Sequence, residues 1–348
     1  MAIREQRVEV IEGKRPASGP ALRREALRSL SWGGVLLLSL GLMLYTLAQI
    51  TGGGSHTSAP PPAGLRALSG AVAYQTGPQP SVTAHAAFVF DPELGLAYYS
   101  KNADIELPMA SCTKIMTALL AVERGNLDQM VTIGSDAAAL GAPGNSRMGV
   151  SAGERISLHD LLYGLMLPSG NDAAVAIADA IGGSVPKFVA LMNQRAQQLG
   201  LTHTHFANPH GLDASGHHTT ARELAELAAV AMRNPVLVKI TSTHRYVIPK
   251  TSTHKAFTLD SGDDLIAGAR SPYPGAIGVK PGFTGDAGYC QAFAAIRHGH
   301  LIVGVVLGEP DWNIRLDDMR KLLDWGFAQE GIPPAPKPVP YSYPTPEP

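Results

Sequence analysis

The sequence predicts an α+β fold: an antiparallel sheet flanked by helices, with an all-helical lobe inserted, preceded by one N-terminal transmembrane helix. Three observations predict it. Strand-like text stands at both ends of residues 83–330, helical text fills the middle, and residues 32–50 form an uncharged, largely apolar run. Strands at the two ends of a domain with helices between them point to one sheet built from both ends and a helical insertion.

The elements follow in order. Ala86 to Phe90 and Leu96 to Ser100 are short apolar stretches around the turn Asp91-Pro92-Glu93-Leu94-Gly95, which predicts a hairpin. Ser111 to Arg124 reads as a buried helix ended by Gly125-Asn126. Leu158 to Leu167 and Ala173 to Ile181 read as helices, with Ser169-Gly170-Asn171 on the loop joining them. Lys187 to Leu199 has helical periodicity and stops at Gly200, and Thr220 with Glu223 predicts a capping box for a helix running to Met232. From Arg245 the text turns β-like, at Tyr246 to Pro249, Ala256 to Leu259, Ile277 to Lys280, Gly288 to Arg297 and Leu301 to Leu307. A last helix is expected over Ile314 to Gln329, and a Pro-rich, disordered tail over 331–348.

Ahead of the domain, Lys14, Arg15, Arg23, Arg24 and Arg28 precede the run Trp32 to Ile50, and the next Lys or Arg after it is Arg66. That run spans roughly 28 Å as a helix, close to the thickness of a bilayer core. The charge asymmetry places residues 1–31 in the cytoplasm as a basic leader and everything after Ile50 outside. Residues 51–82, rich in Gly, Ser, Pro and Ala, read as a flexible linker. Thr46-Leu47-Ala48 has the small residues of a cleavage site, which would release the protein. The long leader and long apolar run favour a retained single-pass anchor with the catalytic domain outside the membrane. Net charge is −1 with 16% charged residues, so there is no electrostatic case for nucleic acid as a partner.

The chemistry is concentrated in three short segments. Ser111 and Lys114 open an apolar helix at i and i+3, so hydroxyl and amine share one face. A serine alcohol needs an adjacent base to become a nucleophile, and a lysine serves only if burial or a second cation lowers its pKa. Ser169-Gly170-Asn171 follows an apolar run, and Lys280-Pro281-Gly282 precedes Phe283-Thr284-Gly285. Alone, Ser-x-x-Lys is no more than a pattern that an amphipathic helix with a capping serine also shows. In this order with the other two segments, it reads as a nucleophile and its base.

These segments resemble the signatures of penicillin-binding proteins. The chain resembles the D-alanyl-D-alanine carboxypeptidase family, low-molecular-mass penicillin-binding proteins, from about Ala86 to Phe327. The likeness includes Met109-Ala110-Ser111, Gly144-Asn145-Ser146-Arg147-Met148, Asn208-Pro209-His210-Gly211-Leu212-Asp213, Thr219-Thr220-Ala221-Arg222-Glu223 and Leu322-Leu323-Asp324-Trp325-Gly326-Phe327. It implies a β-lactamase/DD-peptidase-like fold and a serine D,D-carboxypeptidase that trims peptidoglycan stem peptides ending in D-Ala-D-Ala and is acylated by β-lactams.

On that resemblance Ser111 is the nucleophile and Lys114 its base, Ser169 relays a proton to the leaving nitrogen, and Asn171 orients Lys114. Lys280 lowers the Lys114 pKa and attracts the substrate carboxylate. Backbone N–H groups of Ser111 and Phe283 form the oxyanion hole, and Gly282, Thr284 and Arg315 complete the substrate-binding set. A β-lactamase or a D,D-endopeptidase is the alternative within hydrolases, and a non-catalytic peptidoglycan-binding module the alternative outside them. Pro281 departs from the family's usual threonine and removes a hydroxyl contact to the substrate carboxylate. Proline fits such a strand only where its missing N–H has no ladder partner. No cofactor is expected. His203, His205, His210, His217 and His218 crowd one stretch, but no His-Glu-x-x-His spacing occurs and no metal is expected. Cys112 and Cys290 should both lie near the site, either as a disulfide or as two small buried hydrophobes.

Overall fold

A computed structural model of the chain describes residues 77–141 and 145–336. The basic leader, the run 32–50, most of the linker, Gly144 and the tail beyond residue 336 lie outside the described residues.

Strands β1 (Ala86–Asp91) and β2 (Leu96–Lys101) form the expected hairpin, and β7 (Ala276–Thr284), β8 (Gly288–Arg297) and β9 (His300–Glu309) return to complete one antiparallel sheet in the order β2-β1-β9-β8-β7. The sheet thus takes its strands from both ends of the domain. Side chains alternate across it, as the two-residue period of a strand requires. Ala87, Val89, Phe293, Ala295, Ile302 and Val306 face a core with Leu316, Met319, Leu322, Leu323 and Phe327 of helix α8 (Trp312–Gln329). Ala86, Phe88, Phe90, Ala292, Ala294, Val303 and Val305 face the larger core shared with the inserted helices. Burial of both faces explains why β8 and β9 are apolar almost throughout.

The insertion carries α1 (Lys114–Arg124), α2 (Ser135–Leu140), α3 (Leu158–Met166), α4 (Asn171–Gly182), α5 (Val185–Gln198), α6 (Ala221–Ala231) and α7 (Pro235–Thr241). It is not wholly helical, a correction to the sequence expectation. β3 (Met130–Thr132) pairs with β4 (Arg155–Ser157), and β5 (Arg245–Ile248) pairs with β6 (Phe257–Asp260) as a separate ribbon. Three-residue strands are too short to show a period in sequence. Helix α7 also went unread, although Asn234 caps it by accepting from Val236 N and Leu237 N, and Pro235 is its first residue.

The capping box at α6 is half formed. Thr220 Oγ1 accepts from Glu223 N at 3.1 Å, but the Glu223 carboxylate turns away to accept from His203 N and Thr204 Oγ1. Residues 332–335, expected within the disordered tail, are instead held against the domain. Ile332 is buried against α8, Arg297 donates to Pro333 O at 2.7 Å, and Ala335 N donates to Asp324 at 2.8 Å. The linker likewise ends in contact, with Lys101 donating to Val82 O and Thr83 donating to Asp318. Among the described residues no single helix is long and apolar enough to cross a membrane.

Candidate active site

The site forms where the sheet's edge strand β7 meets the start of α1. Residues Ala110–Thr113 make a 3₁₀ turn ahead of the helix, so Ser111 sits on the turn and Lys114 is the first α-helical residue. Ala110 has φ +47°, an unfavourable region for a residue with a side chain. Its surroundings hold it there. Thr113 Oγ1 donates to Ala110 O at 2.8 Å, and His217 Nε2 lies 2.7 Å from Thr113 Oγ1 while its Nδ1 accepts from Ala207 N. Burial keeps His217 neutral, its pKa lowered to about 4. With Nδ1 accepting, the proton is on Nε2, and the relay runs imidazole to hydroxyl to carbonyl. Gly211, at φ +92°, packs on the same carbonyl, where a Cβ would stand 1.9 Å from Ala110 O.

Lys114 is fully buried, and its Nζ lies 3.0 Å from Ser111 Oγ and 2.8 Å from Asn171 Oδ1, and also contacts the His210 carbonyl. Two of these three neighbours can only accept. A neutral amine has two N–H groups and one lone pair, so donating to Asn171 and His210 aims the lone pair at the Ser111 hydroxyl. Burial, and then the charge of Lys280, hold the amine well below its ordinary value.

Asn171 opens α4, and its backbone N donates to Ser146 O at 2.9 Å. Behind it Asp172 is buried and accepts from Met148 N, Gly149 N, Val150 N and Ala173 N at 2.7–3.1 Å, which ties the loop bearing Ser146 to the helix. Ser169 has φ +63°, and its buried Oγ has no protein partner; it lines the cleft beside Ser111.

Across the cleft runs β7, with Lys280 opposite Ala292, Pro281 opposite Gln291, Gly282 opposite Cys290 and Phe283 opposite Tyr289. As the last strand of the sheet it has one free edge. Successive N–H groups of a strand alternate between its two edges. Proline fits where no ladder donor is needed, so position 281 faces the cleft edge, and Phe283, two residues on, sends its N–H the same way. Lys280 is fully buried, donates to Pro281 O at 3.1 Å, and has its pKa lowered by burial to about 8.

Arg315 on α8 closes the end of the cleft. Its side chain is fully buried, its guanidinium lies 4.1 Å from the Trp312 ring centroid, and Nη1 donates weakly to Cys290 O at 3.4 Å. Nε and Nη2 have no protein partner. Ser111, Ser146, Ser169, Lys280, Gly282 and Arg315 all line one cavity of about 330 Å³.

Thr284 is placed elsewhere. Its hydroxyl donates to Asp213 at 2.7 Å and accepts from Ala287 N at 3.1 Å, so it ties the β7–β8 turn and is not among the cleft-lining residues. Cys112 and Cys290 are free buried thiols, Cys112 contacting Lys280 O and Cys290 contacting Ala287 O. The histidine group divides. His217 is buried behind the nucleophile turn and His210 is half-buried, whereas His203 and His218 pair with Glu106 at the surface. Sequence reasoning gave His210 and His217 no role at the site. The segment Asn208 to Asp213 was the signal for the first, but a backbone carbonyl leaves no side-chain mark.

Residues 73–311 match the family of D-alanyl-D-alanine carboxypeptidases, peptidase S11. The D-alanyl-D-alanine carboxypeptidase of Streptomyces sp. strain K15 is 37% identical over 262 residues, 72% of this chain and 89% of that protein. DacF of Bacillus subtilis is 35% identical over 267 residues, 74% of this chain and 67% of the relative. The crystal structure of the Streptomyces K15 DD-transpeptidase superposes with a TM-score of 0.68 at 34% identity, covering 72% of this chain and all of that one. A penicillin-binding protein homolog from Mycobacterium tuberculosis gives 0.67 at 30% identity over 77% of this chain and 99% of that chain. Fold and site together define a serine peptidase of the Ser-x-x-Lys type. The chain belongs to the D-alanyl-D-alanine carboxypeptidase family.

Proposed function

We propose that this protein is a serine D,D-carboxypeptidase that removes the terminal D-alanine from peptidoglycan stem peptides and is acylated by β-lactams. One observation carries the reading: a buried Lys114 amine whose two obligate acceptors leave its lone pair for Ser111. Lys114 takes the hydroxyl proton as Ser111 Oγ bonds to the carbonyl carbon of the D-Ala-D-Ala amide. The oxyanion accepts from the N–H groups of Ser111 and Phe283, each such donor lowering the barrier by roughly 3 kcal/mol. The C–N bond then breaks, the proton reaches the leaving nitrogen from Lys114 by way of Ser169, and D-alanine departs. Water later hydrolyses the ester. Lys280 and Arg315 hold the terminal carboxylate, Arg315 through its free Nε and Nη2.

Two features argue against the rivals. Among the described residues Asp260 is the one carboxylate lining the cleft, and it is held bidentately by Arg245, which disfavours the rapid deacylation of a β-lactamase. A binding module would have no need of an amine held uncharged in a dry pocket. Pro281, which offers the substrate carboxylate no hydroxyl, favours a secondary D,D-endopeptidase action on cross-links. The basic leader and apolar run support a single-pass anchor with the catalytic domain outside the cytoplasm, where peptidoglycan is.

A fluorescent penicillin labels wild type and spares Ser111→Ala, and wild type releases D-alanine from an acyl-D-Ala-D-Ala peptide. Failure of wild type to label, or undiminished labelling of Ser111→Ala, contradicts the reading.

A further inference from the structure

Behind the cleft wall the buried side chains of Asp263, Gln291 and Arg315 and the half-buried Asp264 carry polar atoms with no close hydrogen-bond partner. Asp263 Oδ2, Asp264 Oδ2, both amide atoms of Gln291, and Nε and Nη2 of Arg315 have no hydrogen-bond partner of ordinary length and angle. Such atoms are rare in native proteins, and each asks for an explanation. Gln291 and Arg315 are wholly buried and Asp263 is 2% exposed, so bulk water does not serve them. Gln291 sits directly opposite Pro281 on β7. Asp263 follows Ser261 and Gly262, both of which line the cleft, and its Oδ1 is fixed by Leu265 N at 2.9 Å.

The charges in this region do not balance without Asp263. Lys280 and Arg315 are two fully buried cationic side chains lining one cavity, and Lys114 behind them is held uncharged. Asp172 is the nearby buried acid, and its carboxylate is spent on four backbone N–H groups. The groups that face Lys280 are Cys112 on the 3₁₀ turn, Asp263 on the loop before β7, and Arg315 on α8, with Lys114 feeling its charge from α1. Arg315 faces Asp263, Asp264, Cys112 and Cys290. Both thiols are pushed upward by burial and stay neutral. Asp264 leans toward Arg270, which is 4.0 Å away. That leaves Asp263 as the acid shared by Lys280 and Arg315; burial raises its pKa, while the Leu265 N–H, Gln291 and the charge of Arg315 favour its ionised form.

We propose that Asp263, with Gln291, is the positioning pair of the carboxylate receptor. Asp263 supplies the counter-charge that faces Arg315 and keeps Lys280 cationic while the cleft is empty. Gln291 pairs with that carboxylate and holds it in place, next to Cys290, whose carbonyl accepts from Arg315 Nη1. The pair thereby supports recognition of a terminal carboxylate in a chain whose residue 281 offers no hydroxyl. This rests on the D,D-peptidase reading, and neither residue touches substrate.

The test uses the full chain as Asp263→Asn, Asp263→Glu and Gln291→Leu. Lysine 13Cε NMR, with the Lys280 signal assigned through Lys280→Arg, follows Lys280 directly and needs no turnover. Removing a nearby anion disfavours the ammonium, so in Asp263→Asn the Lys280 titration moves down by about one unit, and Asp263→Glu restores part of it. In parallel, D-alanine release is compared with cleavage of the same peptide ending in D-alaninamide. In Asp263→Asn and Gln291→Leu, KM for the free acid rises about tenfold with kcat within about twofold, while KM for the amide is unchanged. An unmoved Lys280 titration in Asp263→Asn, or equal losses on acid and amide, overturns the proposal. A wild type that neither labels with penicillin nor releases D-alanine overturns the peptidase reading instead, and the NMR titration still decides the role of Asp263. If Asp263→Asn does not fold, Gln291→Leu still gives the acid-against-amide comparison, and equal losses on the two substrates overturn the proposal.

Discussion

Gly282 and Ser111 approach so closely that a Cβ at 282 would lie 2.8 Å from the Ser111 amide nitrogen. Strand β7 reaches the nucleophile turn only because that position has no side chain. The two backbone donors assigned to the oxyanion are set by this contact. Gly282→Ala therefore pushes β7 off the turn and separates them. Acylation by a fluorescent penicillin is expected to slow on the order of 10²–10³-fold, with the circular dichroism spectrum unchanged. Acylation at the wild-type rate would show that the contact does not set the hole.

Pro281→Thr is expected to gain activity. The hydroxyl would stand on the cleft edge of β7 beside Lys280, where a hydrogen bond to a carboxylate contributes about 1.5–3 kcal/mol. The prediction is a KM for D-alanine release lowered roughly tenfold or more. The ratio of carboxypeptidase to cross-link-cleaving activity rises with it. No gain in either measure would count against the assignment of this edge to the substrate carboxylate.

Asp172→Ala tests the frame behind Asn171. It leaves four backbone N–H groups without their acceptor, three of them in the loop that follows Ser146. A loss of about 3 kcal/mol or more is expected, read as a lower midpoint in urea with the slope unchanged. Penicillin labelling should fall as well, because Asn171 N and Ser146 O are joined at 2.9 Å.

What the sequence disclosed and what it hid have a common physical basis. Side-chain chemistry with a fixed spacing was legible. Ser111 and Lys114 sit three apart on one turn, Asn171 meets Lys114 from the next motif, and Lys280 lies across from both. So was the sheet, because β8 and β9 bury both faces and are apolar along most of their length. Contributions made by backbone were not legible. The His210 carbonyl that directs Lys114 and the strained Ala110 leave no pattern in side-chain type. Thr284 looked like a binding residue because it follows the lysine motif, yet its hydroxyl meets the needs of a turn and of Asp213. Asp263 and Gln291 stand in none of the motifs, and only the fold shows that both are buried behind the cleft.

The account depends on an uncharged Lys114 beside Ser111, and the rate of Ser111 acylation by penicillin against pH tests it most directly. The Lys114 proton must be off and the Lys280 proton on. Lys114 titrates well below its ordinary 10.5, so the rate rises with pH through that lowered value. Lys280 titrates at about 8, so attraction for the penicillin carboxylate is lost as pH rises through it. The prediction is a bell whose alkaline limb falls near 8, and a Lys114→Arg variant that does not acylate at any pH. A rate that climbs without a maximum to the pH at which free lysine titrates, or a Lys114→Arg variant that acylates like wild type, would contradict it.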